Sequence, residues 1–270
     1  MNGVIVVDKA KGNTSFDEIR KIRKEYNIKK VGHTGTLDPM ATGVLTILVG
    51  EATKLSDYLM NHDKEYVATL SLGEKRDTGD SEGKIIETKK VPDLSEKNVK
   101  ETLKSFEGEI SQIPPKYSAI KVNGKKLYEY ARSGEEIEIK PRKVNIFEIN
   151  LIEIKENSIT FKVHCSKGTY IRTLCEDIAE KLGTVGYMSS LRRTRVGNFT
   201  LDDVGKIISI EKTLKNEPEY KLKDKELSKF MNGVKIRTNL KDGLVRVYDK
   251  DKFIGVGEIK NKELKRKIVV

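Results

Sequence analysis

Apolar residues fall into short runs and alternating segments, which predict strands separated by tight turns. Val4–Val7 and Val44–Val49 are nearly continuous apolar runs of the length expected for buried strands. Lys64–Leu72 alternates between polar and apolar residues, and so do Val144–Ile154 and Ile159–Cys165. Such alternation indicates strands with one face on a core, and the short polar connection between the last two segments predicts a hairpin.

Helical spacing of apolar residues predicts four helices between these strands. The helix over Thr14–Tyr26 starts with a Ser or Thr cap and has acidic residues in its first turn. Glu51–Asn61 also has helical character, and a third helix follows Asp93. A fourth helix is predicted over Gly168–Leu182, because Gly183 stands where a C-cap glycine is expected.

The order of these elements favours an α+β fold with a mixed, mainly antiparallel sheet. Regular alternation of strands and helices, as in a doubly wound sheet, is not seen. A further hairpin is predicted from Leu244–Tyr248 and Phe253–Ile259. A highly charged, poorly periodic stretch precedes it, so we expect a main domain over residues 1–215 and a small one over 225–270. Residues 113–142 are basic and hydrophilic, and they look like an excursion from the core.

Composition and charge narrow the class of protein. The 270 residues carry a net charge of +11 at pH 7. Residues 221–270 contribute a net charge of +8, and such an uneven basic charge suggests a polyanionic partner such as nucleic acid. Because no long apolar run or signal peptide is seen, we expect a cytoplasmic protein without a membrane partner. The absence of a long apolar surface run also favours a monomer.

The strongest local signal is the Gly- and Thr-rich segment Gly32–Leu45. A phosphate-binding P-loop would end in Gly-Lys-Ser/Thr and open a helix, and this segment does neither. Gly32–Gly35 has the GXXG form of KH domains, which is short enough to arise by chance. Asp38 can be interpreted as part of a simple Asp-Pro turn, or as a carboxylate partly desolvated by Leu37 and Met40. With an Arg beside it, Asp38 would stay ionised and be competent as a nucleophile or base.

Other candidate groups point to RNA more than to a cofactor. Arg172, near the start of the fourth helix, is a candidate partner for Asp38, although the spacing alone fits an ordinary surface Arg better. Leu191–Arg195 places three Arg in four positions, which suits either a loop that contacts an RNA backbone or a solvated charged segment. Tyr66 and other tyrosines in basic segments suit stacking on unpaired bases. The His and Cys residues lack zinc-type spacing, and no dinucleotide-binding glycine motif follows the first strand.

Taken together, several segments resemble motifs of the TruB family of tRNA pseudouridine synthases. Gly32–Leu45 is similar to the central motif of that family. The other matching segments follow in the family's order and spacing over roughly residues 1–200: Val6–Lys9 with Gly12, Lys64–Tyr66, Pro114–Ala119, Leu127–Arg132, Gly168–Leu174 and Leu191–Phe199. A joint match of this kind is far more specific than any one of its parts.

The resemblance implies a role for each matching residue in the pocket. Asp38 would be the catalytic aspartate, Arg172 its basic partner and Tyr66 the ring that stacks on the target uracil. Leu191 would form part of the apolar floor under the base, and Tyr170 would also line the pocket. The fold implied is the pseudouridine synthase core.

The resemblance also implies contacts with RNA outside this pocket. His33 would enter the T loop near the extruded nucleotide. Further residues would support the site or contact the RNA backbone: Lys9, Lys121, Arg132, Arg192 and Arg193. Residues 113–142 would be a thumb-like RNA-binding insertion, and residues 225–270 a short PUA-like RNA-binding domain. Ala10 stands where the family commonly has Pro, and we expect little effect of this difference on catalysis.

The reaction implied is the isomerisation of uridine 55 in the T loop of tRNA to pseudouridine. The base is flipped out, the N–C glycosidic bond breaks, the uracil turns and a C–C bond forms. This chemistry is redox-neutral, so no cofactor or metal is expected, and the T-arm stem-loop is the expected partner. One carboxylate suffices, whether it attacks ribose C1′, abstracts a 2′ proton or adds to uracil C6. The alternative is a non-catalytic RNA-binding or tRNA-folding protein on the same scaffold, which would not need Asp38, Tyr66 and Arg172 together.

Overall fold

Strands outnumber helices, and the two do not alternate regularly along the chain. The computed structural model describes residues 1–118 and 120–270, with every side chain in them except that of Arg132. Ala119, at the end of the thumb motif, lies outside the described residues. The helices are α1 (Ser15–Glu25), α2 (Ser56–Met60), α3 (Glu96–Lys104), α4 (Leu127–Ser133), α5 (Ile171–Lys181), α6 (Ile210–Thr213) and α7 (Glu226–Met231). The strands are β1 (Gly3–Lys9), β2 (Val31–His33), β3 (Thr42–Val49), β4 (Lys64–Leu72), β5 (Glu74–Arg76), β6 (Ile85–Thr88), β7 (Gly108–Gln112), β8 (Lys121–Val122), β9 (Lys125–Lys126), β10 (Arg142–Lys155), β11 (Ser158–Cys165), β12 (Gly186–Val196), β13 (Phe199–Thr200), β14 (Ile207–Ser209), β15 (Glu219–Lys221), β16 (Ile236–Arg237), β17 (Gly243–Asp249), β18 (Lys252–Lys260) and β19 (Glu263–Val269).

A ten-stranded sheet organises the first four fifths of the chain. Its main path has the order β14-β1-β3-β12-β4-β11-β10-β7, while β2 pairs with β3 and β13 pairs with β12. Strands β12 and β3 run parallel, and the other described pairs of this sheet are antiparallel. The predicted α+β fold with a mixed, mainly antiparallel sheet is therefore confirmed.

Helices α3 and α5 cover one face of the larger sheet and form its main core. Leu174 and Ile178 on α5 pack in one cluster with Ala68 on β4, Phe161 on β11 and Met188 on β12. All five are buried. Burial of this kind stabilises by roughly 25 cal/mol per Å² of apolar surface, so the amphipathic helix is held mainly by its contact with the sheet.

The smaller sheet packs against the larger one through a shared core. It has the order β15-β17-β18-β19-β16. Leu244, Val256 and Ile268 of this sheet pack in one cluster with Val4 on β1 and Leu48 on β3. Helix α7 closes a second apolar cluster within the smaller sheet itself. The two sheets are therefore joined by a continuous apolar contact.

The clearest sequence patterns produced the expected elements. Thr14 caps α1 and forms a capping box with Asp17, as the cap and the acidic first turn predicted. Strand β4 alternates buried and partly exposed residues along its whole length. The hairpin of β10 and β11 pairs as expected, with Lys155 opposite Ser158 at its turn.

The interpretation of Leu191–Arg195 as a backbone-contacting loop is wrong. This segment lies inside β12, a central strand between β3 and β4. The strand pairs with β4 through register shifts after Met188 and after Arg193, so the buried positions are not evenly spaced along the sequence. Because Arg193 also occupies a buried position, the period-two apolar pattern that marks a strand is hidden.

Three predicted element bounds also differ from the structure. Where the sequence predicts one helix over Glu51–Asn61, the structure has a 3-10 helix over Gly50–Leu55 followed by the short α2. Helix α5 begins at Ile171 rather than at Gly168, whose positive φ of 79° suits the preceding turn. The C-terminal hairpin gains a third strand, β19, whose charged exposed positions mask its alternation.

Asp38 lies in a loop that enters the centre of the larger sheet, and we call residues 34–41 the Asp38 loop. The loop leads from β2 into β3, where Gly43 pairs with Arg193 of the parallel strand β12. Gly43 has a φ of 104°, and a methyl group built on its Cα would overlap the carbonyl group of Arg193. Glycine is therefore required at the point where the loop joins the sheet.

We expect Gly43→Ala to lower the free energy of unfolding by about 3 kcal/mol or more, from backbone strain and steric overlap together. Gly183→Ala is the matched control, because Gly183 also has a positive φ, of 87°, but an added methyl group there meets nothing within 4 Å. The control should cost only about 1 kcal/mol. Urea unfolding measures both values, and equal losses would contradict the steric argument.

Candidate active site

The Asp38 carboxyl is half-buried in the loop between β2 and β3. The neighbouring residues Leu37, Met40 and Ala41 are all buried in the main core. The Asp38 carbonyl accepts a hydrogen bond from the Ala41 amide at 3.0 Å, which closes the Asp-Pro turn. Burial raises the pKa of the Asp38 carboxyl above the ordinary aspartate value, and the Arg172 guanidinium acts in the opposite direction.

Arg172 holds this carboxylate through two contacts. Its Nε lies 3.1 Å from Asp38 Oδ2, and its Nη2 donates to Asp38 Oδ1 at 3.3 Å. The guanidinium also donates to the carbonyls of Thr78 at 3.1 Å and Tyr117 at 2.9 Å. A planar fork is required to meet four acceptors in this way, and a lysine could not replace it. The structure thus brings together the two residues whose pairing the spacing alone could not establish.

Asp80 is a second carboxylate on the same guanidinium, and sequence reasoning missed it. It is buried, and its Oδ2 lies 3.6 Å from Arg172 Nη1. Its other oxygen accepts from Thr78 Oγ1 at 2.7 Å and from the Glu82 amide at 3.0 Å. The only signal in the sequence was an acidic, glycine-containing loop after β4. Asp80 and Asp38 therefore lie against the same guanidinium.

Tyr66 and Leu191 lie on adjacent central strands beside the Asp38 loop. Both side chains are buried, and both belong to the same apolar cluster as Leu37. Tyr66 pairs with Arg193 across β4 and β12, and Leu191 pairs with Ala68. Burial raises the pKa of the Tyr66 hydroxyl, so it is protonated at neutral pH. An aromatic ring on this patch suits stacking on a planar base, and the leucine suits an apolar contact beneath the base.

Tyr170 stands directly before α5, next to Arg172. Its backbone is fixed by Gln112, whose side chain donates to the Tyr170 carbonyl at 3.0 Å and accepts from the Tyr170 amide at 2.8 Å. Burial raises the pKa of the Tyr170 hydroxyl, and the charges of Arg172 and Asp38 also act on it. Tyr170 therefore lies close to the ion pair, as expected for a pocket residue.

Lys9 ends β1, which pairs with β3, and His33 ends β2, which leads into the Asp38 loop. Lys9 is fully buried, and its Nζ donates to the carbonyls of Asn13 at 2.7 Å and Pro39 at 3.1 Å. It therefore ties β1 to the residue next to Asp38. His33 ends β2, and burial and the nearby Arg193 charge lower the pKa of its imidazole, which keeps it neutral at pH 7.

The remaining basic candidates are spread over different surroundings. Arg192 is partly exposed and donates to the Asp8 carboxylate at 2.7 and 3.1 Å. Arg193 is buried, so it does not face an RNA backbone in this structure. Lys121 is exposed on β8 of the insertion. The side chain of Arg132 lies outside the described residues.

Among residues 1–118 and 120–270, no group of three or more His, Cys, Asp or Glu is arranged to hold a metal ion. No helix in the described part of the chain is long and apolar enough to cross a membrane.

Comparison with known proteins identifies the family. Residues 23–171 match the N-terminal domain of TruB family pseudouridylate synthases, and residues 172–234 match the tRNA pseudouridylate synthase B C-terminal domain. Residues 218–270 match the C-terminal region of pseudouridine synthase II TruB. The tRNA pseudouridine synthase B of Clostridium kluyveri is 45% identical over 100% of this chain and 99% of its own length. The chain belongs to the TruB family. The Clostridium tetani protein of the same name is 46% identical over 97% of each sequence.

The fold of this TruB-family chain agrees with that of a solved relative. A chain in an H/ACA ribonucleoprotein, bound to a substrate RNA containing 2′-deoxyuridine, is 26% identical with a TM-score of 0.71. The match covers 98% of this chain and 83% of the other. The predicted pseudouridine synthase core is therefore confirmed. The roles of individual residues stay predictions, which the geometry above supports.

The raised pKa of Asp38 predicts how the unfolding free energy changes with pH. A carboxyl whose pKa is raised on folding holds its proton more tightly in the folded state, so its ionisation costs stability as pH rises. Asp38→Asn does not titrate. We therefore expect its unfolding free energy, relative to wild type, to increase as pH rises above about 4, the ordinary range of an aspartate.

Asp63→Asn is the matched control for this measurement. Asp63 has the same exposed side-chain fraction, 32%, and pairs with Arg195 at 3.0 Å. Burial acts to raise its pKa, but hydrogen bonds from His164 and Arg195 lower it below the ordinary value. Its variant should therefore lose stability relative to wild type as pH rises toward about 4, the ordinary range of an aspartate, and the difference should stay level above it. Denaturant unfolding at pH values below and above about 4 measures both trends, and two trends of the same sign would refute the assignment.

Proposed function

We propose that this chain isomerises uridine 55 in the T loop of tRNA to pseudouridine, with Asp38 as the essential carboxylate. The observation that carries the proposal is the Asp38 carboxylate, half-buried and held by the Nε and Nη2 atoms of the Arg172 guanidinium. It stands in the central motif of a TruB-family chain whose relatives are named tRNA pseudouridine synthase B. An ion pair of this kind keeps a desolvated carboxylate charged and reactive.

The reaction balances without a cofactor. The N1–C1′ glycosidic bond breaks, the uracil turns, and a C5–C1′ bond forms. The proton on C5 is released to water, and N1 gains a proton. Asp38 Oδ1 accepts a hydrogen bond from Arg172, Oδ2 lies 3.1 Å from Arg172 Nε, and each oxygen has a further lone pair. The carboxylate can therefore act on the sugar or on the base, by any of the three routes open to it.

Contacts with the apolar patch beside Asp38 would offset much of the free energy needed to flip the base. Extruding a nucleotide costs a few kcal/mol. Stacking of one base on an aromatic ring contributes about 1–3 kcal/mol, and Tyr66 supplies such a ring next to Leu191. Neutral His33 can fill the space left in the T loop without adding a buried charge. Contacts with RNA phosphates would offset the rest of this free energy, and Lys121 and Arg192 are candidates for such contacts.

Release of tritium from uracil C5 tests the proposal. A T-arm stem-loop labelled at C5 loses its label when C5 becomes the glycosidic carbon. We expect stoichiometric release by the wild type and a rate at least about 10³-fold lower for Asp38→Asn, because removal of an essential catalytic group typically costs this much or more. The variant should bind the stem-loop within about threefold of wild type.

Asp63→Asn serves as the control, because it removes an equally exposed, Arg-paired carboxylate elsewhere on the sheet. It should release tritium at the wild-type rate. Full activity of a folded Asp38→Asn protein would refute the role of Asp38. A folded wild type that binds the stem-loop without releasing tritium would support the non-catalytic RNA-binding or tRNA-folding alternative.

The smaller sheet offers a second basic surface, which we propose as an RNA-binding domain. A groove of about 850 Å³ on it is lined by Lys221, Lys223, Arg237 and Lys262, with Glu226 and Glu263 as its acidic residues. The side chains of Lys223, Arg237 and Lys262 are exposed. Since phosphate contacts dominate RNA affinity, exposed cations around a groove suit a backbone-binding surface.

Neutralising this groove should flatten the salt dependence of tRNA binding. We expect the combined variant Lys223→Gln, Arg237→Gln and Lys262→Gln to reduce the slope of log Kd against log salt by about 2–3, since each lost phosphate contact removes about 0.7–0.9. Point variants are preferable to truncation, because removing the domain would uncover the shared core.

The control removes the same net charge from the exposed side of α3, with Lys97→Gln, Lys100→Gln and Lys104→Gln. Filter binding of tRNA at several salt concentrations gives both slopes. The control slope should stay within about 0.5 of wild type, well below the change expected for lost contacts. Equal changes in both variants would show that only net charge matters.

A further inference from the structure

Arg193 is the largest fully buried side chain in the described part of the protein. It is 2% exposed and points inward from β12. Its Nε donates to the Val44 carbonyl at 2.7 Å, and its Nη2 donates to the Gly35 carbonyl at 3.1 Å. Tyr66 stands opposite Arg193 on the paired strand β4, and the Arg193 charge acts on the pKa of the Tyr66 hydroxyl against the effect of burial. One side chain therefore contacts the Asp38 loop and the strand after it, and it stands beside the stacking tyrosine.

The charge of Arg193 lacks a local counter-ion. Within residues 1–118 and 120–270, no carboxylate oxygen lies within 4.0 Å of its guanidinium. Its charge instead acts on other basic groups, because it lowers the pKa of Lys9, Lys64 and His33. Burying a cation without a counter-ion is unfavourable, so its presence in a central strand calls for a local reason.

Arg193 contacts the Asp38 loop near its start and contacts β3 shortly after the loop ends. Gly35 lies near its start, and Val44 lies just after its end in β3. Between these contacts, Gly43 packs directly against the Arg193 backbone. Gly35 has a φ of 136°, so its carbonyl points where an ordinary residue would rarely place it. A guanidinium has donors in a rigid plane and can hold these separate acceptors at fixed angles, whereas an ammonium cannot.

We propose that Arg193 is a positioning residue that fixes the Asp38 loop at both ends and sets the Asp38 carboxylate in register with the Tyr66 ring. The inference rests on the proposed function, because Asp38 and Tyr66 are the groups it positions. Arg193 touches no substrate. A displacement of about 1 Å in a reacting group can cost about 100-fold in rate, so such a clamp matters for catalysis. A phosphate contact is the competing role, and the burial of Arg193 argues against it.

Arg193→Lys separates these two roles, because it keeps the charge and removes the fork. We expect the single-turnover rate of tritium release at saturating stem-loop to fall about 10- to 100-fold. The Kd for the stem-loop should stay within about threefold of wild type, and the salt slope of binding should not change, because no phosphate contact is lost. Arg195→Lys is the control: it changes an Arg of the same strand that pairs with Asp63, and it should keep the wild-type rate.

A second readout tests the clamp without using activity. In protein labelled with 3-fluorotyrosine, the ¹⁹F resonance of Tyr66 is assigned by its loss in Tyr66→Phe. It should shift or broaden in Arg193→Lys and stay in place in Arg195→Lys. An inactive wild type would refute the proposed function. The ¹⁹F resonance of Tyr66 would still test whether Arg193 positions the Tyr66 ring.

Three results would overturn the proposal. One is a wild-type rate in Arg193→Lys. Another is a loss of binding with a smaller salt slope, which would assign Arg193 to a phosphate. The third is failure of both Arg193→Lys and the neutral Arg193→Gln to fold, because Arg193 would then be needed for the fold itself and not for placing Asp38.

Discussion

The ion pair between Arg172 and Asp38 connects parts of the chain that are 134 residues apart in sequence. The same guanidinium also donates to the carbonyl groups of Thr78, in the loop after β5, and of Tyr117, in the insertion, and it lies 3.6 Å from the Asp80 carboxylate. A cation in the first turn of a helix is unfavourable to the helix dipole, and α5 has no acidic residue there to offset it. The carboxylates of Asp38 and Asp80 supply that compensation from other segments. Helix α5 and the loops of the site therefore stabilise one another.

Several cations beneath the site are held by backbone carbonyls rather than by carboxylates. Lys9 binds the Pro39 carbonyl, Lys64 binds the carbonyls of Met60 and His62, and Arg193 binds those of Gly35 and Val44. Carbonyl groups satisfy the donors without neutralising the positive charges, and the charge of Lys9 acts on Asp38. Burial and neighbouring cations even lower the pKa of Lys64 to about 8. Positive charges favour a nearby anionic RNA backbone, and for Asp38 the charges of Arg172 and Lys9 act against the burial that raises its pKa.

The sequence predicted what depends on local periodicity and capping, and it failed where distant segments decide the structure. The capping box of Thr14 and the alternation of β4 are local signals, and both elements formed as expected. Strand β12 was missed because its register shifts and the buried Arg193 break the alternation. Asp80 was missed because its importance lies in its contact with Arg172, which no spacing reveals. For Asp38 and Arg172 themselves, only the joint family resemblance indicated the pairing.

The shared core between the two sheets constrains how RNA could meet the protein. Val44 and Leu48 on β3 pack in the same cluster as Val256 and Ile268 of the smaller sheet. Strand β3 is also the continuation of the Asp38 loop, so the loop and the basic groove are attached to the same packed elements. Close-packed interiors deform little. The distance from groove to carboxylate is therefore set by side-chain packing, and an RNA that contacts both must match a nearly fixed spacing.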